Sequence, residues 1–294
     1  MKNSNDPSDS RGLLWGFVSY AMWGFFPVYW KLLSSVPPLE ILAHRMTWSF
    51  VFYLGMFVVS SHREIRGLFQ QTQKTWMLSA VASLLLAFNW GIYIYAVNSG
   101  HILEGSLAYF INPILNVAAG VLFFREAFPW PLKLSVLFAF LGVAAKIFYA
   151  PGFPWISLAL AFTFSAYGIT KKLLTVPART SSVLEGAVGV LPALAAIFYF
   201  QSQNTEALSP LIWTLLVMGG VVTGLPLFLF SYSAQRVPYS IMGMLQFIAP
   251  SLQFTVGILM FHENFELRDF FIFGLIWIGI LFYLANQLYT RARR

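Results

Sequence analysis

The chain has 294 residues, of which 58% are hydrophobic and 10% are charged, and it contains no Cys. A soluble domain carries about 25% charged residues, so this composition excludes a protein whose main solvent is water. The missing thiols exclude disulfides and thiolate metal sites. The net charge of +7 comes from Lys and Arg scattered between apolar runs, which argues against a nucleic-acid-binding patch.

Apolar runs separated by basic, Pro, Gly and Asn residues predict ten transmembrane helices, each crossing taking about 20 mostly apolar residues. The first run is too long for a signal peptide and lacks its cleavage site. Backbone groups in lipid must be paired within the segment, and the runs lack the alternation of barrel strands, so we predict an all-α polytopic membrane protein. The predicted helices span residues 12–33, 39–60, 75–97, 102–124, 132–149, 154–171, 181–200, 210–233, 239–261 and 269–288.

The positions of Lys and Arg indicate the orientation, because basic loops stay in the cytoplasm. With the N-terminus inside, all but four of the 18 Lys and Arg residues fall on the inner side. We therefore predict that both termini are cytoplasmic. The four exceptions are Lys31, Arg45, Lys146 and Arg268.

Polar and aromatic residues inside the first two helices are candidates for function, since polar groups at membrane depth are costly. Tyr20 and Trp23 lie three residues apart in the first helix, and they line either a solute pocket or an ordinary packing or interfacial stripe. Glu40 and His44 share a face of the second helix, with Arg45 adjacent. These three residues either form a salt-bridged outer gate with a coupling role or solvate the mouth of the helix.

The third helix carries Asn89, Trp90 and Tyr93, which place an amide and aromatic rings on one face. This face either binds solute or joins helices through amide hydrogen bonds. Glu104, at the start of the fourth helix, either titrates in proton coupling or favours the helix N-terminus electrostatically. Tyr109, further along that helix, is another candidate for solute binding.

Asn112 and Asn116 flank Pro113 in the fourth helix. The missing N–H of proline frees a carbonyl one turn back, so we predict a bent, polar segment that binds solute and takes part in gating. The alternative is a simple packing kink. The ninth helix repeats the combination with Gln246, Pro250 and Gln253.

The two halves of the chain are related by an offset of 137 residues. This offset sets YFINPILNVAAGVLFFREAF (109–128) over QFIAPSLQFTVGILMFHENF (246–265). Five helices per half is an odd number, so the halves are predicted to be inverted, with solute held between them. The predicted division is a cytoplasmic tail at 1–11, a first repeat at 12–150, a second repeat at 151–288 and a basic cytoplasmic tail at 289–294.

Five segments match a known pattern: WGFFPVYWKLL (23–33), VPPLEILAHRMTWSF (36–50), NWGIYIYAVN (89–98), LEGSLAYFINPILN (103–116) and QFIAPSLQF (246–254). Together they resemble the RarD-type permeases of the EamA family, within the drug/metabolite transporter superfamily. The resemblance runs over nearly the whole chain. It implies ten helices as two inverted EamA repeats in a bacterial inner membrane, moving small metabolites or drugs.

Motifs of competing classes are missing from the sequence. It has no GxxxxGK[ST], GxSxG or HExxH, so we expect no enzyme activity, no cofactor and no metal site. We expect a secondary transporter that works by alternating access, as a monomer or homodimer, in contact with the lipid bilayer. Its ligands would be a small solute, neutral to amphipathic and partly aromatic, and a proton as a candidate coupling ion. The alternatives are a lipid-modifying membrane enzyme using Glu40, His44 and Arg45, or a scaffold or receptor.

Overall fold

The computed structural model describes residues 9–59, 67–68, 70–99, 102–148, 152–203 and 208–262, together with parts of 270–282. Within these residues the regular structure is helical and no strand occurs. The helices are α1 (Ser10–Gly24), α2 (Phe26–Lys31), α3 (Pro38–Val58), α4 (Gln73–Asn98), α5 (Ile102–Leu122), α6 (Trp130–Phe148), α7 (Trp155–Leu173), α8 (Ala178–Gln203), α9 (Pro210–Ala234), α10 (Tyr239–Gln246) and α11 (Ile248–Phe261).

The predicted all-α polytopic class is confirmed. The first nine predicted spans fall on these helices, whereas most of the tenth lies outside the described residues. In the described part of the chain, four helical stretches are long and apolar enough by themselves to cross a membrane. They are Gln73–Tyr93, Ala178–Gln203, Pro210–Ala234 and Tyr239–Phe261.

The first predicted span is divided into α1 and α2 at Phe25, two residues before Pro27. Pro27 has no N–H to donate to the carbonyl of Trp23 one turn earlier, and its ring disfavours a continuous helix. The side chain of Gln253 supplies a donor instead, with its Nε2 3.0 Å from the Trp23 carbonyl oxygen. The proline ring of Pro27 therefore causes the break, and Gln253 of α11 donates a hydrogen bond to the backbone carbonyl that the break leaves without its usual donor.

Helix packing follows the internal repeat. The 137-residue offset pairs α1 and α2 with α7, α3 with α8, α4 with α9, and α5 with α10 and α11. Two of the main interfaces, α3 with α8 and α5 with α10, join equivalent helices directly. The others occur as exchanged pairs: α3 with α9 and α8 with α4, α5 with α7 and α11 with α1, and α4 with α7 and α9 with α1. This pattern is what two halves related by a two-fold axis produce.

The backbone carries the same repeat. Arg125 follows α5 and has φ 52°, and His262 follows α11 and has φ 51°. They are the only non-glycine residues with positive φ in the described part of the chain, and 137 residues separate them. A left-handed residue is uncommon outside glycine, so its occurrence at both equivalent positions supports the register independently of side-chain identity.

Small residues let the helices approach closely. A Cβ atom on Gly220 of α9 would lie 2.3 Å from the backbone of Trp48 in α3. A Cβ atom on Gly243 of α10 would lie 2.6 Å from the carbonyl oxygen of Pro113 in α5. Neither position can take a side chain without moving a helix, so both contacts fix how the halves meet.

The helices run up and down between two ends of the bundle. One, here called the basic end, is where α1 begins and α3 ends. The other, here called the opposite end, holds Lys31, whose Nζ lies 4.0 Å from the ring centroid of Phe261. The basic end carries Arg11, Lys74, Lys133, Lys172 and Arg236.

Candidate functional site

Arg45 brings a charge into the interior of the bundle. It lies seven residues into α3, which is about 10 Å from the opposite end at 1.5 Å per residue. Its Nε donates to Oγ1 of Thr223 on α9 at 3.0 Å. The guanidinium carbon lies 4.6 Å from the ring centroid of Trp30 and 4.5 Å from that of Trp90. Cation–π contacts with two indole rings stabilise the charge without supplying a counter-ion.

Two tyrosines complete this site. Tyr93 of α4 and Tyr109 of α5 both interact electrostatically with Arg45. Tyr93 keeps 40% and Tyr109 keeps 36% of its surface accessible, so both leave free surface near the guanidinium. We call this set the Arg45 cluster: Trp30, Arg45, Trp90, Tyr93, Tyr109 and Thr223.

Sequence reasoning selected four members of the Arg45 cluster and missed Trp30 and Thr223. Trp30 lies in the family-like segment at residues 23–33, but nothing in the sequence distinguishes it from the other aromatic residues there. Thr223 is separated from Arg45 by 178 residues, and no local signal marks it. Only the packing of α3 on α9 brings it to the guanidinium.

Beyond Trp90 the interior narrows. A cavity of about 30 Å³ lies between α3, α4, α8 and α9, and its lining includes Trp90, Ser49, Tyr53 and Glu185. A cavity that holds one water needs about 10–15 Å³, so this space suits water rather than an organic solute. On the side of the basic end, Tyr53, Tyr167 and Phe230 are fully or almost fully buried. The interior is therefore closed between the Arg45 cluster and the basic end.

Glu40 and His44 form a second feature on α3. Glu40 is 0% exposed, and neither carboxylate oxygen has a hydrogen-bond partner. His44 is 1% exposed; its Nδ1 accepts from Nε1 of Trp48 at 3.2 Å, and its Nε2 has no partner. Among the described residues neither Glu40 nor His44 forms an ion pair, and both are buried rather than solvated. Buried polar atoms without partners are rare.

Asn112 and Asn116 belong to an interhelical network, which we call the amide network. Asn112 Nδ2 donates to the Ala161 carbonyl at 2.6 Å. Asn116 Nδ2 donates to Asn112 Oδ1 at 3.1 Å and to Gln246 Oε1 at 2.5 Å. The Tyr239 hydroxyl donates to Asn116 Oδ1 at 3.0 Å. These amides join α5, α7 and α10 and are buried, so in this conformation they are not available to a solute.

The remaining amide and ring candidates also contact protein. Asn89 Nδ2 donates to the Leu160 carbonyl at 2.8 Å and to Thr163 Oγ1 at 2.9 Å, which ties α4 to α7. Tyr20 and Trp23 pack edge to face at 5.4 Å between ring centroids. They join an aromatic cluster with Phe164, Tyr167 and Phe230. The structure therefore separates Tyr20 and Trp23, in this packed cluster, from Trp90, Tyr93 and Tyr109, which surround Arg45.

Comparison with known proteins identifies the family. The sequence profile of the EamA-like transporter family matches residues 10–147. The "Uncharacterized transporter YojE" of Bacillus subtilis is 38% identical over 95% of each chain. "Protein RarD" of Streptomyces exfoliatus is 39% identical over 100% of this chain and 93% of its own. The chain belongs to the EamA-like transporter family. It is a multi-pass membrane protein in contact with the lipid bilayer, and several of its relatives are named as uncharacterized transporters.

A solved structure supports the fold. A crystal structure titled "Crystal structure of protein" superposes with a TM-score of 0.73. It covers 94% of this chain and 98% of that chain at 18% sequence identity. At this identity the likeness concerns the fold alone. The EamA-like chain therefore shares its helix arrangement with that structure.

The basic end of this EamA-like transporter holds charges that serve packing. Lys171 is 0% exposed, and its Nζ lies 2.8 Å from Oε2 of Glu185. Glu126 accepts the backbone N–H groups of Tyr239 and Ser240 at 2.6 and 2.8 Å, which caps α10. Both residues therefore take part in contacts between helices.

The gating candidates on α5, α10 and α11 are placed unequally. α5 continues through Pro113, whereas α10 and α11 are separated at Phe247, three residues before Pro250. The two prolines lie at equivalent repeat positions, but only the second adjoins a break. The side chains of Glu104 and Lys146 and the whole of Glu263 and Arg268 lie outside the described residues. Among described residues, no group of three His, Asp or Glu could hold a metal ion.

Proposed function

We propose that the chain is a secondary transporter that moves small metabolites or drugs across the bacterial inner membrane by alternating access. One observation supports this more than any other: a partly buried charge with aromatic walls lies inside a bundle whose side chains are packed toward the basic end. A site with free surface on one side and packed side chains on the other fits one of the two states that alternating access requires.

Solute contacts are assigned by accessibility. Trp90, Tyr93 and Tyr109 keep partly free faces at the Arg45 cluster and would meet the solute first. The amide network joins α5 to its repeat partner α10, so a change of state that moves these helices would exchange its hydrogen bonds. Asn112, Asn116 and Gln246 then act in the opposite-facing state or in the transition, and Pro113 and Pro250 supply the bends.

The two five-helix repeats, 12–150 and 151–288, are proposed as the moving units, inverted with both termini cytoplasmic. The exchanged pattern of helix contacts supports this division. Reporter fusions after residue 294 and between residues 201 and 209 test the orientation. Cytoplasmic activity at the first and periplasmic activity at the second are expected, and the reverse result would overturn the topology.

Glu40 and His44 are proposed as the proton-coupling pair. The Glu40 carboxylate and the His44 Nε2 are buried one helical turn apart on α3 without partners, so they can hold a coupled proton, as ionisable residues inside membrane helices often do in transporters. Loading and release of that proton can then follow exposure of the site. His44 can take part because an imidazole can both accept and donate a proton.

Proteoliposomes test both proposals. Radiolabelled aromatic solutes that are neutral, anionic or cationic are offered with and without an imposed proton gradient. We expect gradient-dependent accumulation by the wild type, and exchange without gradient dependence by Glu40→Gln. Asp9→Asn is the matched control, because it removes a carboxylate while an Asn still caps α1. A wild type that moves no solute under either condition contradicts the transporter proposal.

The geometry disfavours a membrane enzyme built on Glu40, His44 and Arg45. The ring of His44 contacts Trp213, whereas Arg45 binds Thr223. These partners lie ten residues apart on α9, about 15 Å along the helix, so the acid and base do not face the same point as the guanidinium. Glu40 and His44 are also sealed from lipid by burial.

A further inference from the structure

Building on the transporter proposal, we infer that the Arg45 cluster is a binding site for a monocarboxylate with an aromatic or other apolar body. The inference concerns the chemical class of the solute. It replaces the expectation of a neutral to amphipathic solute, which assumed that no charged residue lies deep in the cavity.

Arg45 lacks most of its partners. A guanidinium carries five N–H donors, and within the described chain only the Nε–H has an acceptor, Thr223 Oγ1. No Asp or Glu of the described residues pairs with Arg45. The indole faces of Trp30 and Trp90 stabilise the cation but do not accept the N–H groups of its two terminal nitrogens. The site is therefore electrostatically complete only when an anion is bound.

The geometry of the free donors favours a carboxylate. The two terminal nitrogens of arginine match the two oxygens of a carboxylate in a paired, bidentate contact. Thr223 holds the Nε edge and is itself 1% exposed, so the guanidinium is oriented before the ligand arrives. The hydroxyls of Tyr93 and Tyr109 have no hydrogen-bond partner among described residues and can donate to the same anion.

The single guanidinium favours a ligand with one negative charge, and the aromatic side chains around it favour a ligand with an apolar body. One guanidinium neutralises one negative charge, and the other described cation at this end, Lys31, lies over the ring of Phe261. A phosphate ester with two charges would remain half compensated. Trp30, Trp90, Tyr93 and Tyr109 offer ring faces and edges, which bind aromatic and apolar groups.

The test measures binding to the purified full-length chain in detergent. The probes are benzoate, phenylacetate and indole-3-acetate, each compared with its neutral amide, with affinity read by equilibrium binding and by ligand-induced thermal stabilisation. We expect at least one carboxylate to bind the wild type, with its amide about tenfold weaker or worse. If no carboxylate binds below about 10 mM, or if acids and amides bind equally, the inference is wrong.

Variants locate the site. Arg45→Gln should weaken the binding of the best carboxylate by about tenfold or more and that of its amide by much less, because truncating one member of a buried charge pair is costly. Arg45→Lys keeps the charge but loses the paired geometry, and it should fall between the two. Lys74→Gln is the matched control, since it removes an exposed positive charge from the basic end. Full affinity in Arg45→Gln would refute the site.

Two further measurements distinguish failure of the binding site from misfolding of the variant and from failure of the transporter proposal. The comparison of acid with amide in the wild type needs no variant, so it stands even if Arg45→Gln fails to fold. Uptake in proteoliposomes separates the site from the transporter proposal. Carboxylate binding without uptake of any solute would support the binding site and contradict the transporter proposal. Uptake of other solutes without carboxylate binding would support the transporter proposal and contradict the binding site.

Discussion

The Arg45 cluster and the amide network both place polar groups inside the helix bundle, but they satisfy them differently. Asn116 uses its amide as donor to Asn112 and Gln246 and as acceptor from Tyr239. Arg45 uses one of five donors within the described chain. A polar group with its partners in place holds helices together, whereas one that lacks them keeps capacity for a ligand. Inside a membrane protein, the presence or absence of hydrogen-bond partners therefore distinguishes structural from functional polar side chains better than residue type does.

The largest loss of stability is expected at the buried ion pair between Lys171 and Glu185. Lys171→Met leaves the carboxylate of Glu185 buried without its cation, and loss of one partner costs about 3–5 kcal/mol. The double variant Lys171→Met with Glu185→Leu should recover most of this loss, because apolar replacement of both partners is often neutral. Reversible unfolding in mixed detergent micelles measures the free energies. Equal losses in the single and double variants would show that the pair is not the cause.

The amide network should give the next largest effect. Asn116→Leu removes three hydrogen bonds at once. It takes the Asn116 donor away from Asn112 Oδ1 and Gln246 Oε1, whereas Tyr239 keeps the Ser165 carbonyl. The expected destabilisation is about 1–3 kcal/mol. Thr255→Val is the control, since it removes only a hydrogen bond within α11. If stability is unchanged while solute affinity falls, the network belongs with the binding site rather than with the structural contacts.

A smaller effect is expected where Gln253 compensates for Pro27. Gln253→Leu withdraws the donor to the Trp23 carbonyl, and hydrogen bonds between membrane helices average about 0.6 kcal/mol. In a Pro27→Ala background the restored backbone N–H can reach that carbonyl, so the same substitution should cost less. A double-mutant cycle on unfolding free energies measures the coupling. Zero coupling would mean that the proline and the amide act independently.

The smallest effect on stability is expected at Glu40. Glu40→Gln removes a buried ionisable group that has no partner to lose, so the unfolding free energy should stay within about 0.5 kcal/mol or rise. The same unfolding assay decides. A loss above about 1 kcal/mol would place Glu40 with the structural contacts and weaken its role in coupling.

The two proposals for Pro113 and Pro250 illustrate the limit of a repeat argument. The offset of 137 residues correctly pairs Arg125 with His262 in backbone conformation. The same offset pairs the prolines, yet α5 stays continuous while α10 and α11 are separated. Pro113 lies against Gly243, whose missing side chain admits its carbonyl oxygen. Equivalent sequence positions therefore share covalent constraints, but the neighbouring helix decides whether the backbone breaks.

The sequence by itself determined the all-α class, the first nine spans and the repeat register. These follow from local properties, namely apolar length, basic loops and recurring residues. Tertiary structure alone decided which polar residues have partners. Asn112, Asn116 and Gln253 look like solute ligands in sequence, but they donate to distant helices. Trp30 and Thr223 carry no signal, yet they position Arg45. Hydrogen-bond satisfaction depends on which helices meet, and that information is not local to any segment.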